Sequence, residues 1–486
     1  MSLMPHWPIY TGNTKQINNI NVIKVLNLLD NPHDKMRNII HITGTNGKGS
    51  VASFLHSILM EHGFNVNKYT SPHLLQCNER ILHNKTQITD EELYYYIEKV
   101  RYVCEQNNIE ITIFEATTIA AFLFFHDKDA DYNVIEVGMG GDNDATNVFN
   151  DNQVSAVVIM PISLDHTKFL GNTKIDILKH KIAISKYNKP LISSSQDHDV
   201  ANYMYDYCAK FKIPLKIYSK DFEVVKIQDE KNQIDKDYFC LSYKNFNNSG
   251  EDELENNLIL PIPPLKGDHQ LINLATSVIT LISIAGFELD IAKLHNGIKK
   301  TKWSGRLEQI KEKRLLKILP ENSEIFFDGA HNYSGAKALS DYIKTLNDSL
   351  NNYIIIGRTK DTDSSIFIKE FVLDSNEIDK INLKNKITKQ ETYFIKAIFA
   401  VKSNGEIKPE HEEVIYKQII NSKYTDFFDE NNTFFASNFV QAMKNIVIFN
   451  NKFKVQKPVR IFICGSLYMA RDIFVLSKKL KWDIND

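Results

Sequence analysis

Along most of the chain, short apolar runs alternate with polar, glycine-bearing turns and with stretches whose apolar residues recur at helical spacing. The run Ile39, Ile40, Ile42 predicts a buried strand, and Val51, Phe54, Leu55, Ile58 and Leu59 after it fall on one helical face. A short helix is expected before them at Val22 to Leu29, ahead of a turn reading NPHDKMRN. Gly63 ends the long helix, and Val66 to Tyr69 predicts the next strand before a turn at TSPHL. Thr89 followed by Glu92 forms a capping box, opening a helix through Tyr94, Ile97 and Val100. Phe114 to Phe125 predicts an almost wholly apolar helix, with Glu115 at its start where a carboxylate suits the dipole. Tyr132 to Val137 and Val154 to Ile162 predict buried strands, followed by the polar stretches EVGMGGDNDATN and SLDHTKFLG. This rhythm predicts a doubly wound α/β fold, in which ligands gather at the carboxyl ends of the strands.

Further on the pattern is weaker. Phe222 to Lys244 predicts a hairpin turning at DEKNQ, and Ile262 to Gly267 a loop leading into a helix over Asp268 to Ala285. A boundary near Lys299 to Trp303 divides the chain into domains 1–300 and 301–486. Ile325 to Phe327, Tyr353 to Ile356 and Arg460 to Cys464 predict strands of a second, smaller α/β unit. The Lys-, Asn- and Glu-rich stretch from Asp361 to Asn432 reads as solvated surface.

The first strand and helix enclose the stretch HITGTNGKGS, His41 to Ser50. A glycine-rich turn between strand and helix makes a phosphate site. Gly44, Gly47 and Gly49 let several N–H groups point at one anion, the helix N-terminus adds partial positive charge, and Lys48 adds a full one. Ser50 is placed to bind the Mg²⁺ that accompanies phosphates. The spacing differs from the common P-loop, because two residues separate Gly44 from Gly47 and a glycine follows Lys48. Ser50, Ser71, Glu136 and His166 all fall near carboxyl ends of predicted strands and can converge. Alone, Glu136 in its apolar strand suits a buried salt bridge as well as a metal ion, and His166 suits a hydrogen-bonded core histidine.

Composition narrows the choice. A chain of 486 residues forms two or three domains, and 43% apolar with 24% charged residues is ordinary for a soluble protein. The net charge of −2 excludes a basic field for nucleic acid, and no apolar run is long enough to span a membrane. Five scattered cysteines without a CxxC pattern, and an N-terminus unlike a signal peptide, point to the cytoplasm.

GTNGKGS, SPHL with NERI, FEATT, EVGMGGDNDATN and LDHTKFLG, then KGDHQLINLA, WSGRLE, FFDGAHN and CGSLYMARD, occur in an order that resembles folylpolyglutamate synthases. Many bacterial members are bifunctional dihydrofolate synthases, and the family belongs to the Mur ligases. The resemblance implies a P-loop, Mur ligase-like, doubly wound ATPase domain followed by a smaller Rossmann-like α/β domain carrying the glutamate ligase half. It implies that Gly47, Lys48, Gly49 and Ser50 hold the ATP phosphates and a first Mg²⁺, with Ser71 and Glu136 as further ligands. His166 resembles the ligand of a second Mg²⁺. Asn273, Arg306 and Asp328 match the remaining ATP contacts, the last two from the second domain, which puts ATP between the domains. His331 falls near the reacting groups.

Lys181 matches a lysine that is carbamylated in the family and helps hold the second metal. The family pattern there is EKAGI, whereas this chain reads HKIAI, with His180 in place of the acid and Ala183 in place of the glycine. Asp142 likewise stands where an arginine is usual. The implied reaction is ATP-dependent: the substrate carboxylate takes the γ-phosphoryl group, and L-glutamate's amine displaces phosphate from the acyl phosphate. Lys48, His166, Lys181 and His331 are the implied catalytic residues. Dihydropteroate and reduced folates are the implied acceptors, and a monomer the usual state. The alternatives are another P-loop phosphotransferase or NTPase, a dinucleotide-dependent oxidoreductase suggested by GMGGDNDA, and a non-catalytic homologue whose site has decayed.

Overall fold

The computed structural model describes residues 19–228, 234–244, 256–346, 349–360, 362–372, 394–403, 409–422, 427–453 and 455–479. The chain divides into two compact units. The first holds the described residues up to Pro264 together with Asp268–Trp303; the second holds Leu265–Gly267 and the residues from Ser304 onward.

The first unit is built on an eight-stranded sheet. Its strands are β1 (Ile39–Thr43), β2 (Val66–Tyr69), β3 (Ile81–His83), β4 (Thr86–Gln87), β5 (Tyr132–Glu136), β6 (Val154–Ile159), β7 (Leu191–Ser193) and β8 (Leu215–Ile217), in the order β4-β3-β2-β5-β1-β6-β7-β8. From β2 to β8 the neighbours are parallel, and the β3–β4 hairpin adds an antiparallel edge. Every residue of β1 is buried, as expected of a central strand covered on both faces. Its helices are α1 (Ile20–Leu28), α2 (Lys48–Glu61), α3 (Asp90–Asn107), α4 (Ile113–Lys128), α5 (Thr167–Leu170), α6 (Lys174–Ile182), α7 (His198–Phe211), α8 (Asp268–Ser283) and α9 (Ile291–Lys300). On one face of the sheet, Ile39, Ile135 and Val157 join a core with Ile97 of α3, Phe122 of α4, Ile177 of α6 and Val200 of α7. Helix α2 belongs to the other face and packs against α8 and α9. A Cβ on Gly297 of α9 would lie 2.6 Å from Ile58 Cα, so these two helix backbones touch. The Thr89–Glu92 box caps α3, and Glu115, expected to act only through the dipole, completes a second box with Thr112 on α4.

The predicted hairpin is one half of a three-stranded antiparallel sheet, β9 (Phe222–Gln228), β10 (Ile234–Tyr243) and β11 (Asn256–Pro261). Its DEKNQ turn lies outside the described residues.

The second unit has a six-stranded sheet in the order β12-β13-β17-β14-β15-β16, parallel except for the first pair. These strands are β12 (Glu308–Gln309), β13 (Glu324–Phe327), β14 (Asn351–Ile356), β15 (Ala397–Val401), β16 (Thr433–Ala436) and β17 (Val459–Cys464). Phe326 and Phe462 stack in its core with Ile354, Ile398 and Phe367. Of the stretch expected to be solvated surface, β15 and the helix Glu412–Ile420 contribute buried Ile398, Phe399, Ile415 and Ile419, while residues 361, 373–393, 404–408 and 423–426 lie outside the described set. Charged composition across a long window masked these short buried elements.

His41 tests the burial of β1. Its ring is 0% exposed with Nε2 2.9 Å from Thr146 Oγ1, and desolvation, helped by the Lys186 cation, lowers its pKa from 6.5 to about 3. An unfolded chain takes up that proton near pH 6.5, whereas the folded chain resists it until near pH 3. Stability is therefore lost as pH falls below 6.5, by about 2 kcal/mol from this group between pH 7 and 5. Urea midpoints at the two pH values should show this loss, and His41→Gln should remove it.

Candidate active site

At the carboxyl end of β1 the chain turns sharply. Gly44 has φ +134° and Gly47 has φ +92°, conformations that favour glycine. Gly47 caps α2 without any side-chain bond, so the first amides of that helix keep their capacity for an anion. Gly49 lies under Trp303, whose ring leaves no space for a Cβ. Asn273 of α8 approaches from another side; its Oδ1 would be 3.0 Å from a Cβ on Gly47.

Two lysines meet at this turn. Lys48 Nζ donates to the carbonyls of Gly44 and Thr45, both at 3.2 Å. Lys181 Nζ, from the last turn of α6, donates to the same Gly44 carbonyl at 2.9 Å. Burial, with the Lys48 cation next in weight, lowers the Lys181 pKa from 10.5 to about 7 against the opposing pull of Asp165 and Asp144. A large share of Lys181 is thus the neutral amine at physiological pH, the form that reacts with carbon dioxide.

Glu136 ends β5 beside this turn. The side chain is 4% exposed; Oε1 is 3.9 Å from Lys48 Nζ, and Oε2 accepts the Ser71 amide at 3.2 Å. The Ser50 hydroxyl is buried without a hydrogen-bond partner. An orphaned hydroxyl two residues after Lys48, and a buried carboxylate 3.9 Å from the Lys48 ammonium, are donors suited to a hard cation. Among the described residues no three His, Cys, Asp or Glu side chains gather so as to hold a metal ion. Lys48, Ser50, Ser71, Glu136, Lys181 and Asn273 are therefore brought to one turn.

His166 stands at the edge of this group. It has φ +49° at the start of α5, its amide donates to Asp165 Oδ1 at 2.8 Å, and its side chain is 54% exposed. Desolvation lowers its pKa, with Lys48 and Lys181 also lowering it and Asp165 raising it, so the neutral ring that can ligate a metal is favoured. Its loop is held to the phosphate turn through Thr45 Oγ1, which donates to the Ser163 carbonyl and accepts its amide, both at 3.1 Å.

In the second unit, Asp328 and His331 follow β13, at the carboxyl end of a parallel sheet. Both Asp328 oxygens accept backbone amides at 2.8 Å, from Leu307 and Ala330, fastening the WSGRLE loop to DGAHN. Arg306 lies against Gly329, and its Nη1 donates to the Gly305 carbonyl at 3.1 Å. His331 Nδ1 is 2.8 Å from the Gly329 carbonyl.

Sequence reading missed Lys68 and the use of Trp303. Lys68 is 4% exposed in β2, donates to Ser53 Oγ at 3.2 Å and sits 5.0 Å over the Trp303 ring. Burial lowers its pKa to about 8, opposed by Glu136. The available signal was a lysine in the short strand VNKY, all four residues of which are buried.

Two of the departures from the family pattern, His180 and Asp142, meet each other. His180 Nδ1 and Asp142 Oδ2 are 2.9 Å apart, a basic group and an acid in the reverse order from the arginine and acid that the pattern carries at these positions. A pair that retains its complementarity is not the mark of a decaying site.

Residues 42–281 match the Mur ligase middle domain, and residues 312–476 the dihydrofolate synthetase C-terminal domain. The chain is 32% identical over 329 residues to a dihydrofolate synthetase of Saccharomyces cerevisiae, covering 66% of this chain and 71% of the relative. It is 31% identical over 333 residues to a folylpolyglutamate synthase of Lacticaseibacillus casei, covering 67% and 72%. Among solved structures, E. coli FolC in complex with DHPP and ADP superposes with a TM-score of 0.75 at 20% identity, over 97% of this chain and 95% of that one. Mycobacterium tuberculosis folylpolyglutamate synthase complexed with ADP and AMPPCP gives 0.76 at 21%, over 95% and 96%.

Proposed function

As the chain belongs to the dihydrofolate synthase/folylpolyglutamate synthase family of Mur ligases, we propose that it joins L-glutamate to dihydropteroate and to the γ-carboxylate of reduced folates at the expense of ATP. One observation carries this reading to the residues: Lys48 and buried Glu136 stand 3.9 Å apart at a glycine turn that opens α2 with no side-chain cap on its first amides. A carboxylate resists an amine because it is an anion with a poor leaving group. Transfer of the γ-phosphoryl group to it gives an acyl phosphate, and the amine of glutamate then expels phosphate. The protein's part is positioning and charge.

Lys48 and the α2 amides hold the triphosphate and offset the charge that builds during transfer. Gly47, Gly49 and Asn273 shape the cradle, and Arg306 and Asp328 supply nucleotide contacts from the second unit. Ser50, Ser71 and Glu136 hold one Mg²⁺, and His166 with carbamylated Lys181 holds a second. These ions supply electrostatic stabilisation of the transferring phosphoryl group. His331 orients the reacting groups. The neutral amine of Lys181 supports its carbamylation, because only that form attacks carbon dioxide. Neither domain matched is that of a kinase or a dinucleotide-dependent oxidoreductase. Among the described residues no helix is long and apolar enough to cross a membrane. The family resemblance and the scattered cysteines favour a cytoplasmic monomer.

The purified chain, given ATP, Mg²⁺, L-glutamate and either dihydropteroate or tetrahydrofolate, should form products one or more glutamates heavier with matching ADP release. ADP release that does not depend on glutamate would overturn the assignment. Lys181→Ala should lower turnover by about 100-fold, the scale of losing one electrostatic group, and millimolar acetate or propionate should restore part of it. Full activity of Lys181→Ala without added acid would remove Lys181 from the site.

A further inference from the structure

The Lys181 amine is directed at the phosphate turn from the last turn of α6, and something outside that helix must fix its reach. Asp142 makes two contacts with the residue just before it. Its amide donates to the His180 carbonyl at 2.9 Å, and its carboxylate meets His180 Nδ1 at the same distance. The first contact satisfies one of the carbonyls that every helix leaves open at its end. The second ties the side chains. Between them the two backbones are as close as they can be: a Cβ on Gly141 would lie 2.7 Å from the His180 carbonyl oxygen and 3.1 Å from that of Lys181.

The far side of this loop is anchored to β1. Thr43 Oγ1 donates to the Gly140 carbonyl at 2.8 Å, and Asp144, buried, accepts from the Met139 and Thr146 amides and the Thr146 hydroxyl. Thr146 Oγ1 in turn meets His41 of β1. A closed circuit results, from β1 through the loop at 140–146 to His180, along one residue to Lys181, and back to Gly44 at the end of β1. Lys48 donates to the same Gly44 carbonyl, so two lysine side chains share one acceptor, and a fixed backbone keeps Lys181 there.

We propose that Asp142 and His180 are a positioning pair that sets the reach of Lys181 toward the phosphate turn. The inference rests on Lys181 working at the reaction centre. About a third of each side chain is exposed (34% for Asp142, 35% for His180), so the pair adds little to global stability, whereas a small misplacement of a reacting group is felt strongly in rate.

The test is a mutant cycle with ATP, dihydropteroate and L-glutamate. Asp142→Ala and His180→Ala should each lower kcat by about 10-fold, with KM for ATP within about twofold and the melting temperature nearly unchanged. The double alanine variant should be no worse than either single one, and exchanging the residues (Asp142→His with His180→Asp) should recover most of the rate. Crystal structures should show the Lys181 amine on the Gly44 carbonyl in the parent chain and displaced from it in Asp142→Ala; this readout needs no turnover. Should the exchanged chain not fold, Asp142→Asn, which keeps a hydrogen-bond acceptor, takes its place and should retain more rate than Asp142→Ala. Multiplying losses in the double variant, or an unmoved Lys181 in Asp142→Ala, would overturn the proposal. The Lys181→Ala variant separates the two ideas. If it is inactive while Asp142→Ala is normal, the pair has no positioning role; if it is active, Lys181 itself is misassigned and the pair's role falls with it.

Discussion

Lys48→Ala is expected to lower turnover by a factor on the order of 10² to 10³ while the melting temperature moves by no more than about 3 °C. The rate effect follows from where the ammonium sits. It is held over the turn by the Gly44 and Thr45 carbonyls, 3.9 Å from Glu136, among the amides that open α2. On the proposed function, an ammonium in that place offsets charge on the transferring phosphoryl group together with the α2 amides and the metal ions. The fold should survive, because Lys68 remains as a cation interacting with buried Glu136. Stopped assays with saturating ATP and Mg²⁺, paired with thermal melts, measure both. Turnover within threefold of the parent chain would mean that the phosphates bind elsewhere.

Gly44→Ala should cost about 4 kcal/mol, the largest stability loss expected of any single methyl group in the turn. Two penalties add. At φ +134° an L-residue is strained, and the new Cβ would meet Met160 Cβ at 2.5 Å and its Cα and N at 2.8 Å. Met160 cannot retreat, since its amide donates to the Thr43 carbonyl at 2.8 Å as β6 runs beside β1. Gly63 provides the control. It too has positive φ, +97°, yet a Cβ there meets nothing within 4 Å, so Gly63→Ala should cost only about 1 kcal/mol of backbone strain. Urea unfolding of the two variants compares them directly. If Gly44→Ala were no more destabilised than Gly63→Ala, the packing of the turn against β6 would be wrong.

What could be read from the residues alone depended on how local the cause was. The β1–turn–α2 unit was legible because glycine spacing and helical periodicity act within twenty residues. Strands β7 and β8 were not, since three-residue strands are too short to show a period. The gathering of Ser50, Ser71 and Glu136 followed from strand ends in a doubly wound sheet, a rule about topology rather than about any one residue. The Asp142–His180 contact spans 38 residues, and each half looked like a defect until the other was seen beside it. Trp303 against Gly49 spans far more, and no pattern in either segment announces it. The capping role of Glu115 was half visible: its place at a helix start was read correctly, its partner Thr112 was not.

Helix α2 is enclosed almost throughout; even Ser53 and His56 on it are buried. The turn it carries is in consequence a fixed seat, tied to a buried helix. By contrast the side chains of Leu75, Leu164 and Phe169, in the segments after β2 and β6, are exposed. On the proposed function such a seat is set before nucleotide arrives, and adjustment on binding falls to surface segments of this kind.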